Sequence, residues 1–110
     1  MSQYREMRMF VIFDLPTTTK EDLKIYTTFR KCIISDGFIM LQLSVYCRFC
    51  RNDSEYYKIL RRIKNYAPKN HGSIRVFSVT EKQYSNMILF SSDKTSDEKL
   101  LSTSSLVIID

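Results

Sequence analysis

Residues 7–14 form the first strongly patterned segment, with apolar side chains on both faces of a predicted strand. Every odd-numbered position from Met7 to Phe13 is apolar, and so are Phe10 and Ile12 on the other face. Such a strand is expected to be buried on both sides. In a chain of 110 residues, one face can meet helices, and the other is expected to meet a second copy of the chain. Asp14 shares the second face, and a two-fold axis there would bring two carboxylates together as a seat for a divalent cation.

Two later segments carry apolar side chains at the three- and four-residue spacing of helices. The first helix is predicted over residues 19–36, with Thr18 and Glu21 forming a capping box at its start. The second is predicted to begin after Asn52 and to end before Pro68. The apolar stripes consist of Leu23, Tyr26, Phe29 and Ile33 in the first helix and of Tyr56, Ile59, Leu60, Ile63 and Ala67 in the second.

The remaining apolar segments predict strands. Residues 38–42 and 45–50 are interpreted as two strands joined near Leu43 and Ser44, because fourteen residues would be long for one strand. Residues 73–79 alternate as a fourth strand, and residues 84–90 are a further short strand candidate.

The order βαββαβ with additional C-terminal strands predicts an α+β fold, a ferredoxin-like sandwich in which both helices cover one face of the sheet. The apolar character of the other face favours a face-to-face homodimer. Residues 1–90 are predicted to form this domain, and residues 91–110 a flexible connector followed by a C-terminal strand. That strand is apolar, and we expect it to be held within the dimer or on a partner. It consists of Leu106, Val107, Ile108 and Ile109.

Composition limits the kinds of molecule that the chain is expected to bind. The net charge of +5 favours a polyanion such as nucleic acid. No apolar run reaches about 18 residues, and the N-terminus does not resemble a signal peptide, so we expect a cytoplasmic protein without a membrane partner. Cys47 and Cys50 have C-x-x-C spacing but point to opposite faces of a strand, which favours free thiols over a metal or redox site. His71 is expected to be an exposed loop histidine.

Three segments resemble the CRISPR-associated protein 2 family, the small subunit of the spacer-acquisition complex. They are residues 13–16 (Phe-Asp-Leu-Pro), residues 37–46 and residues 79–84 (Val-Thr-Glu-Lys-Gln-Tyr), and the resemblance keeps its register over roughly residues 7–90. The most specific motif is Gln-x-Ser-Val-aromatic, which ends at Tyr46. One departure is Met40, where many members carry a basic residue, and it favours a structural role over cleavage.

The resemblance implies a ferredoxin-like homodimer whose strands after the fourth complete the partner's sheet. It implies that Asp14 is the catalytic and metal-binding residue at the dimer cleft. With so few protein ligands, Mg²⁺ would be weakly held and replaceable by Mn²⁺. Relatives act as metal-dependent nucleases on single-stranded RNA or double-stranded DNA. They also bridge two dimers of the CRISPR integrase subunit, with double-stranded protospacer DNA lying across basic flanks.

These observations lead to three hypotheses for the function. The first is a CRISPR adaptation subunit that bridges integrase dimers, binds protospacer DNA and carries metal-dependent endonuclease activity; the alternative is a stand-alone, toxin-like Mg²⁺-dependent endoribonuclease. A basic dimeric module without catalysis is the third hypothesis.

Leu106–Ile109 is predicted to contact the integrase by strand addition. The candidate phosphate-binding residues are Arg61, Arg62, Lys64, Lys58 and Lys69, followed by Lys20, Lys24, Arg30 and Lys31 on the first helix.

Overall fold

A computed structural model describes residues 6–91 and the backbone of residues 106–108. Strands and helices alternate through most of this part of the chain. In order along the sequence they are β1 (Met7–Asp14), α1 (Lys20–Ser35), β2 (Ile39–Gln42), β3 (Val45–Cys50), α2 (Asp53–Tyr66), β4 (Ser73–Thr80), α3 (Glu81–Ser85), β5 (Leu89–Ser91) and β6 (Leu106–Ile108). None of the described helices is both long and apolar enough to cross a membrane.

The first four strands form one sheet in the order β2-β3-β1-β4, and every neighbouring pair is antiparallel. β1 therefore lies in the interior of the sheet, as its two apolar faces predict. Phe10 of β1 lies opposite Cys47 of β3 on one side and Phe77 of β4 on the other. At the end of the same strand, Asp14 lies opposite Ser73.

The main core lies between one face of this sheet and helices α1 and α2; we call it the helix-side core. Phe13 is central to it: its ring centroid lies 5.1 Å from that of Phe29 on α1 and 5.7 Å from that of Tyr46 on β3. Most of both predicted helical stripes faces this core, which explains why the two helices cover the same face; Leu23 is the exception, since 48% of it is exposed. Its other buried members are Met9, Val11, Leu15, Ile33, Phe38, Cys50, Tyr56, Ile59 and Ile63.

The opposite face of the sheet, which we call the open face, carries a second and smaller apolar cluster. Phe10, Leu41 and Cys47 are buried there beneath Tyr84 of α3. The rings of Phe10 and Phe77 stack with centroids 5.2 Å apart. The prediction that β1 is apolar on both faces is therefore confirmed.

The capping box of α1 differs from the predicted one by one residue. The Thr19 hydroxyl accepts a hydrogen bond from the Asp22 amide at 3.0 Å, and Asp22 Oδ2 accepts one from the Thr19 amide at 3.1 Å. The predicted pair, Thr18 and Glu21, has the same spacing, so the local pattern fits both choices equally well. The observed choice also places Asp22 beside His71, a contact between residues distant in the sequence.

The predicted strand over residues 84–90 is wrong over residues 84–88: residues 84 and 85 belong to α3, residues 86–88 form a connection, and the strand begins only at Leu89. The Thr80 hydroxyl accepts from the Gln83 amide at 3.1 Å, and Gln83 Oε1 accepts from the Thr80 amide at 2.8 Å. This reciprocal cap begins a helical turn, and burial of Tyr84 on the open face holds it. Extended structure is confined to β5.

The predicted C-terminal strand is present over residues 106–108 as β6, which pairs in parallel with β5. Ile109 and nearly all of the predicted connector, residues 92–105, lie outside the described residues.

Candidate metal and nucleic-acid site

Asp14 lies at the C-terminal end of β1, where its side chain is exposed. Two connections flank this end of the sheet. On one side, the β2–β3 turn is held to β1 because the amide of Phe13 donates a hydrogen bond to the carbonyl oxygen of Ser44 at 3.1 Å. On the other side, Ser73 begins β4 directly opposite Asp14. Within residues 6–91, the Asp14 carboxylate forms no ion pair or hydrogen bond, so its oxygens are available to a ligand.

The loop between α2 and β4 approaches Asp14 so closely that only glycine fits. Gly72 has a φ of +88°, and a Cβ atom there would lie 2.3 Å from the carbonyl oxygen of Asp14 and 3.0 Å from Cα of Leu15. A side chain at position 72 would therefore displace the backbone that carries the carboxylate. The sequence showed Gly72 only as part of a turn, since nothing local reveals which segment that turn touches.

His71 was expected to be an exposed loop residue, and this expectation is wrong. Its side chain is three-quarters buried, and Nε2 lies 3.0 Å from Asp22 Oδ1, a close approach rather than an aligned hydrogen bond. Hydrogen bonding from the backbone of Thr19 lowers the pKa of Asp22, and His71 adds a smaller contribution in the same direction. The start of α1 and the loop before β4 are thus joined beside Asp14.

The metal fit can be judged from the ligands present. Within the described part of the chain, no three His, Cys, Asp or Glu side chains are grouped so that they could hold a metal ion. Asp14 by itself suits Mg²⁺, which binds through one or two carboxylates and keeps several waters. Within the described residues, the chain therefore offers Mg²⁺ one carboxylate at this strand end.

The cysteines do not enlarge this ligand set. Cys47 is buried on the open face and Cys50 in the helix-side core, so the C-x-x-C pair points in opposite directions as predicted. Both are free thiols. Burial raises the pKa of Cys47 to about 12 and also raises the pKa of Cys50, which keeps both protonated at neutral pH.

Most of the predicted phosphate-binding side chains are exposed on or just after α2. Arg62 differs from the others because its Nη1 donates to Asp36 Oδ1 at 3.1 Å. The Tyr66 hydroxyl donates to the second carboxylate oxygen, Asp36 Oδ2, at 2.8 Å, and burial together with this bond raises the pKa of Tyr66. The others are exposed and have no hydrogen bond or ion pair within residues 6–91: Lys58, Arg61, Lys64 and Lys69.

Arg30, Arg48 and Met40 have structural roles. Arg30 on α1 donates from Nε to the Tyr46 hydroxyl at 2.7 Å. Arg48 donates from Nη1 to the backbone carbonyl of Asp36 at 2.6 Å and from Nη2 to Glu55 at 3.0 Å. Met40 packs against the helix-side core, so its side chain does not share the face of Asp14.

The class of protein is a small α+β domain with a four-stranded antiparallel sheet, an exposed carboxylate at a strand end and a basic helix. A solved structure described as a crystal structure of cas2 has a similar fold, with a TM-score of 0.51 and 15% identity. The match covers 68% of this chain and 76% of that one.

Sequence comparison defines the family. The model of CRISPR associated protein Cas2 matches residues 7–87, so the chain belongs to the Cas2 family, as the resemblance predicted. Relatives named CRISPR-associated endoribonuclease Cas2 agree with this assignment. The protein from Flavobacterium psychrophilum is 43% identical over 82% of this chain and 77% of its own length. That from Streptococcus mutans serotype c is 43% identical over 80% of each, and that from Campylobacter jejuni is 33% identical over all of this chain and 76% of its own length.

Proposed function

We propose that this chain is a homodimeric Cas2 protein that binds double-stranded protospacer DNA and bridges two dimers of the CRISPR integrase subunit during spacer acquisition. The observation that carries this proposal is the set of exposed cations on or just after α2 that have no partner within residues 6–91. Lysine and arginine side chains bind duplex DNA through its phosphates without reading the bases. Lys58, Arg61, Lys64 and Lys69 are the residues proposed to do so, and Arg62 joins them when phosphate displaces Asp36.

The homodimer is proposed from the open face. The strand order β2-β3-β1-β4 with two helices on the other side supports a ferredoxin-like protomer. Large apolar side chains remain exposed on or beyond the open face, and a second copy packed face to face would cover them. They are Phe77, Met87, Ile88 and Phe90, whose exposed fractions are 42%, 42%, 55% and 65%.

The proposal also assigns different roles to two parts of the chain. Residues 1–90 form the ferredoxin-like domain, and residues 91–110 a connector and a strand that contacts the dimer or the integrase. The backbone of residues 106–108 is extended, which suits strand addition. The proposed contact residues are Leu106, Val107, Ile108 and Ile109.

Reconstitution tests the bridging role. The chain, an integrase subunit and a protospacer duplex should elute together in gel filtration at a mass of one dimer of this chain and two of the integrase. The complex should insert the duplex into a CRISPR array, and integrase alone should do so poorly. Failure to form the complex with an integrase encoded beside the chain would contradict the proposal.

A second function, metal-dependent cleavage of single-stranded RNA, is favoured by the exposed Asp14 carboxylate and by the name of the relatives, endoribonuclease. In this proposal the Asp14 residues of two protomers would hold Mg²⁺ or Mn²⁺. The metal would supply an activated water and neutralise charge on the phosphate. Asp14 would bind and orient the metal ion. The β2–β3 turn and the loop before β4 fix the position of Asp14.

Substitution of Asp14 separates the two functions. Asp14→Asn preserves shape but removes both carboxylate charges from the dimer, so it should abolish metal-dependent cleavage. The dimer should remain intact or become firmer, because two facing carboxylates repel. Integration by the reconstituted complex should continue. If integration is lost while the dimer and DNA binding survive, cleavage at Asp14 belongs to the pathway and a purely bridging role is wrong.

A further inference from the structure

The open face carries few charged side chains, and one of its charges is already neutralised. Arg8 forms a salt bridge with Glu81 of α3 and lies over the rings of Phe49 and Tyr84, with its guanidinium carbon 5.4 and 4.5 Å from their centroids. This pair occupies the end of the sheet away from Asp14. Among the described strand residues that face this side, the remaining charges are Asp14 and Arg75.

The strand register places these two charges next to each other. Arg75 lies opposite Ile12, and Ser73 lies opposite Asp14. Directly opposed residues share a face of the sheet, and the stacking of Phe10 on Phe77 shows that this register brings Arg75 to the open face. Asp14 and Arg75 are therefore diagonal neighbours, about 7–8 Å apart at the backbone, a separation that a long side chain spans.

Neither charge is paired with another group in the described part of the chain. Both side chains are exposed, and neither has an ion pair or hydrogen bond within residues 6–91. A free carboxylate binds a divalent cation, and a free guanidinium binds phosphate oxygens in a two-pronged arrangement. A phosphodiester whose phosphate contacts an Asp14-bound cation would satisfy both groups.

We propose that Arg75 is a catalytic residue that binds the phosphate of single-stranded RNA at the Asp14 site. This inference depends on the endoribonuclease function proposed above. It adds a positively charged side chain to a site in which Asp14 is the carboxylate of each protomer. Arg75 would neutralise charge on the phosphate and fix it against Asp14. It would do so from β4, whereas the departure from the family pattern concerns Met40 on β2.

A structural explanation makes a different prediction. If Arg75 served only as the counter-ion of Asp14 across a dimer, its removal would weaken the dimer and would not change RNA affinity. The two explanations are separated by measuring RNA binding and dimer dissociation in the same variants.

The test uses the full-length dimer and a short, labelled single-stranded RNA, with Ca²⁺ in place of Mg²⁺ so that binding is measured without cleavage. Arg75→Gln should raise the Kd in Ca²⁺ about tenfold, as expected for a charge-assisted hydrogen bond of about 1.5 kcal/mol. Arg75→Lys should lose less. Arg61→Gln is the matched control: it removes one exposed arginine from α2, and its effect should be the same with Ca²⁺ or EDTA.

Combination with Asp14→Asn sharpens the result. Residues that act on one phosphate are coupled, so the double variant should bind little more weakly than either single variant. An unchanged Kd for Arg75→Gln in Ca²⁺, or a loss confined to dimer stability, would overturn the inference.

A cleavage assay with Mg²⁺ distinguishes the Arg75 phosphate site from the endoribonuclease function. If wild-type protein fails to cleave yet Arg75→Gln loses Ca²⁺-dependent binding, the endoribonuclease proposal fails and the Arg75 phosphate site stands. If wild type and Arg75→Gln cleave at the same rate, the endoribonuclease proposal stands and Arg75 is not part of its site.

Discussion

Gly72 shows how a single residue fixes the position of the candidate carboxylate. Its backbone occupies the left-handed region, and the space where a Cβ would lie is filled by the Asp14 carbonyl oxygen. Two costs therefore meet at this position, a conformational cost of about 1–3 kcal/mol for a residue other than glycine and a steric clash with β1. Because the clash involves backbone, relief of it must move Asp14.

Gly72→Ala is predicted to lower the free energy of unfolding and to impair metal-dependent cleavage. The matched control is Gly37→Ala, since Gly37 also has a positive φ, of 93°, but its nearest neighbour would be the flexible Arg48 side chain at 3.4 Å. Urea unfolding should show a larger loss for Gly72→Ala than for Gly37→Ala, and cleavage by Gly37→Ala should stay near that of wild type. Equal losses in both variants would show that conformation alone matters at position 72.

At the scale of elements, α2 combines an apolar side that builds the core with cations of two kinds. Arg62 is engaged by Asp36, whereas Lys58 and Arg61 have no partner within residues 6–91. The three are equivalent in the sequence pattern, all off the apolar stripe. Their electrostatic environments separate them.

Changing Lys58 and Arg61 together to Ala is predicted to weaken duplex DNA binding evenly across sequences. The slope of log K against log salt should fall by about one unit for each lost phosphate contact. Arg62→Ala should have a smaller effect on this slope, because Asp36 competes with phosphate for the guanidinium. Fluorescence anisotropy over a salt series measures both, and an unchanged slope in the double variant would move the site to the exposed lysines of α1.

The start of α1 should make stability depend on pH. The folded-state pKa of Asp22 is lowered below its usual 3.8, chiefly by hydrogen bonding from the Thr19 backbone. The ionised form is therefore favoured by folding, and this stabilisation is present above pH of about 4 and is lost as the pH falls through the lowered value. Asp22→Asn should unfold at lower urea than wild type at pH 7, and the difference should shrink toward pH 3. A constant difference over this range would show that charge at position 22 is unimportant.

At the scale of the whole molecule, the apolar open face and the position of Asp14 at the candidate metal site both lead to the expectation of a homodimer. The protein is predicted to have a solution mass of about twice 13.1 kDa at micromolar concentration. Light scattering coupled to gel filtration measures this mass. A monomer under these conditions would leave the open face uncovered and would remove the paired Asp14 residues on which the metal site depends.

Much of the fold was accessible from local patterns. Alternation with two apolar faces identified β1, and the spacing from Tyr56 to Ile63 identified α2, because burial selects side chains at the period of each element. The turn at Leu43 and Ser44 was also predicted, although neither Gly nor Pro marks it; Ser44 adopts a φ of 65° there. Asp14 could be identified as a candidate residue from the sequence because it ends an apolar strand.

The sequence by itself thus determined the main elements, their buried faces, the family and the candidate carboxylate. Only the tertiary structure decided that Thr19 caps α1, that Gly72 and His71 lie against the Asp14 segment, and that Arg62 is paired while Arg61 has no partner within residues 6–91. The contacts of Gly72 and Arg62 join segments distant in the chain, and Asp22, the partner of Thr19 in the cap, is the residue that approaches His71. Residues with the same local spacing, such as Thr18 and Thr19, differ only in what the folded chain brings beside them, so spacing alone could not separate them.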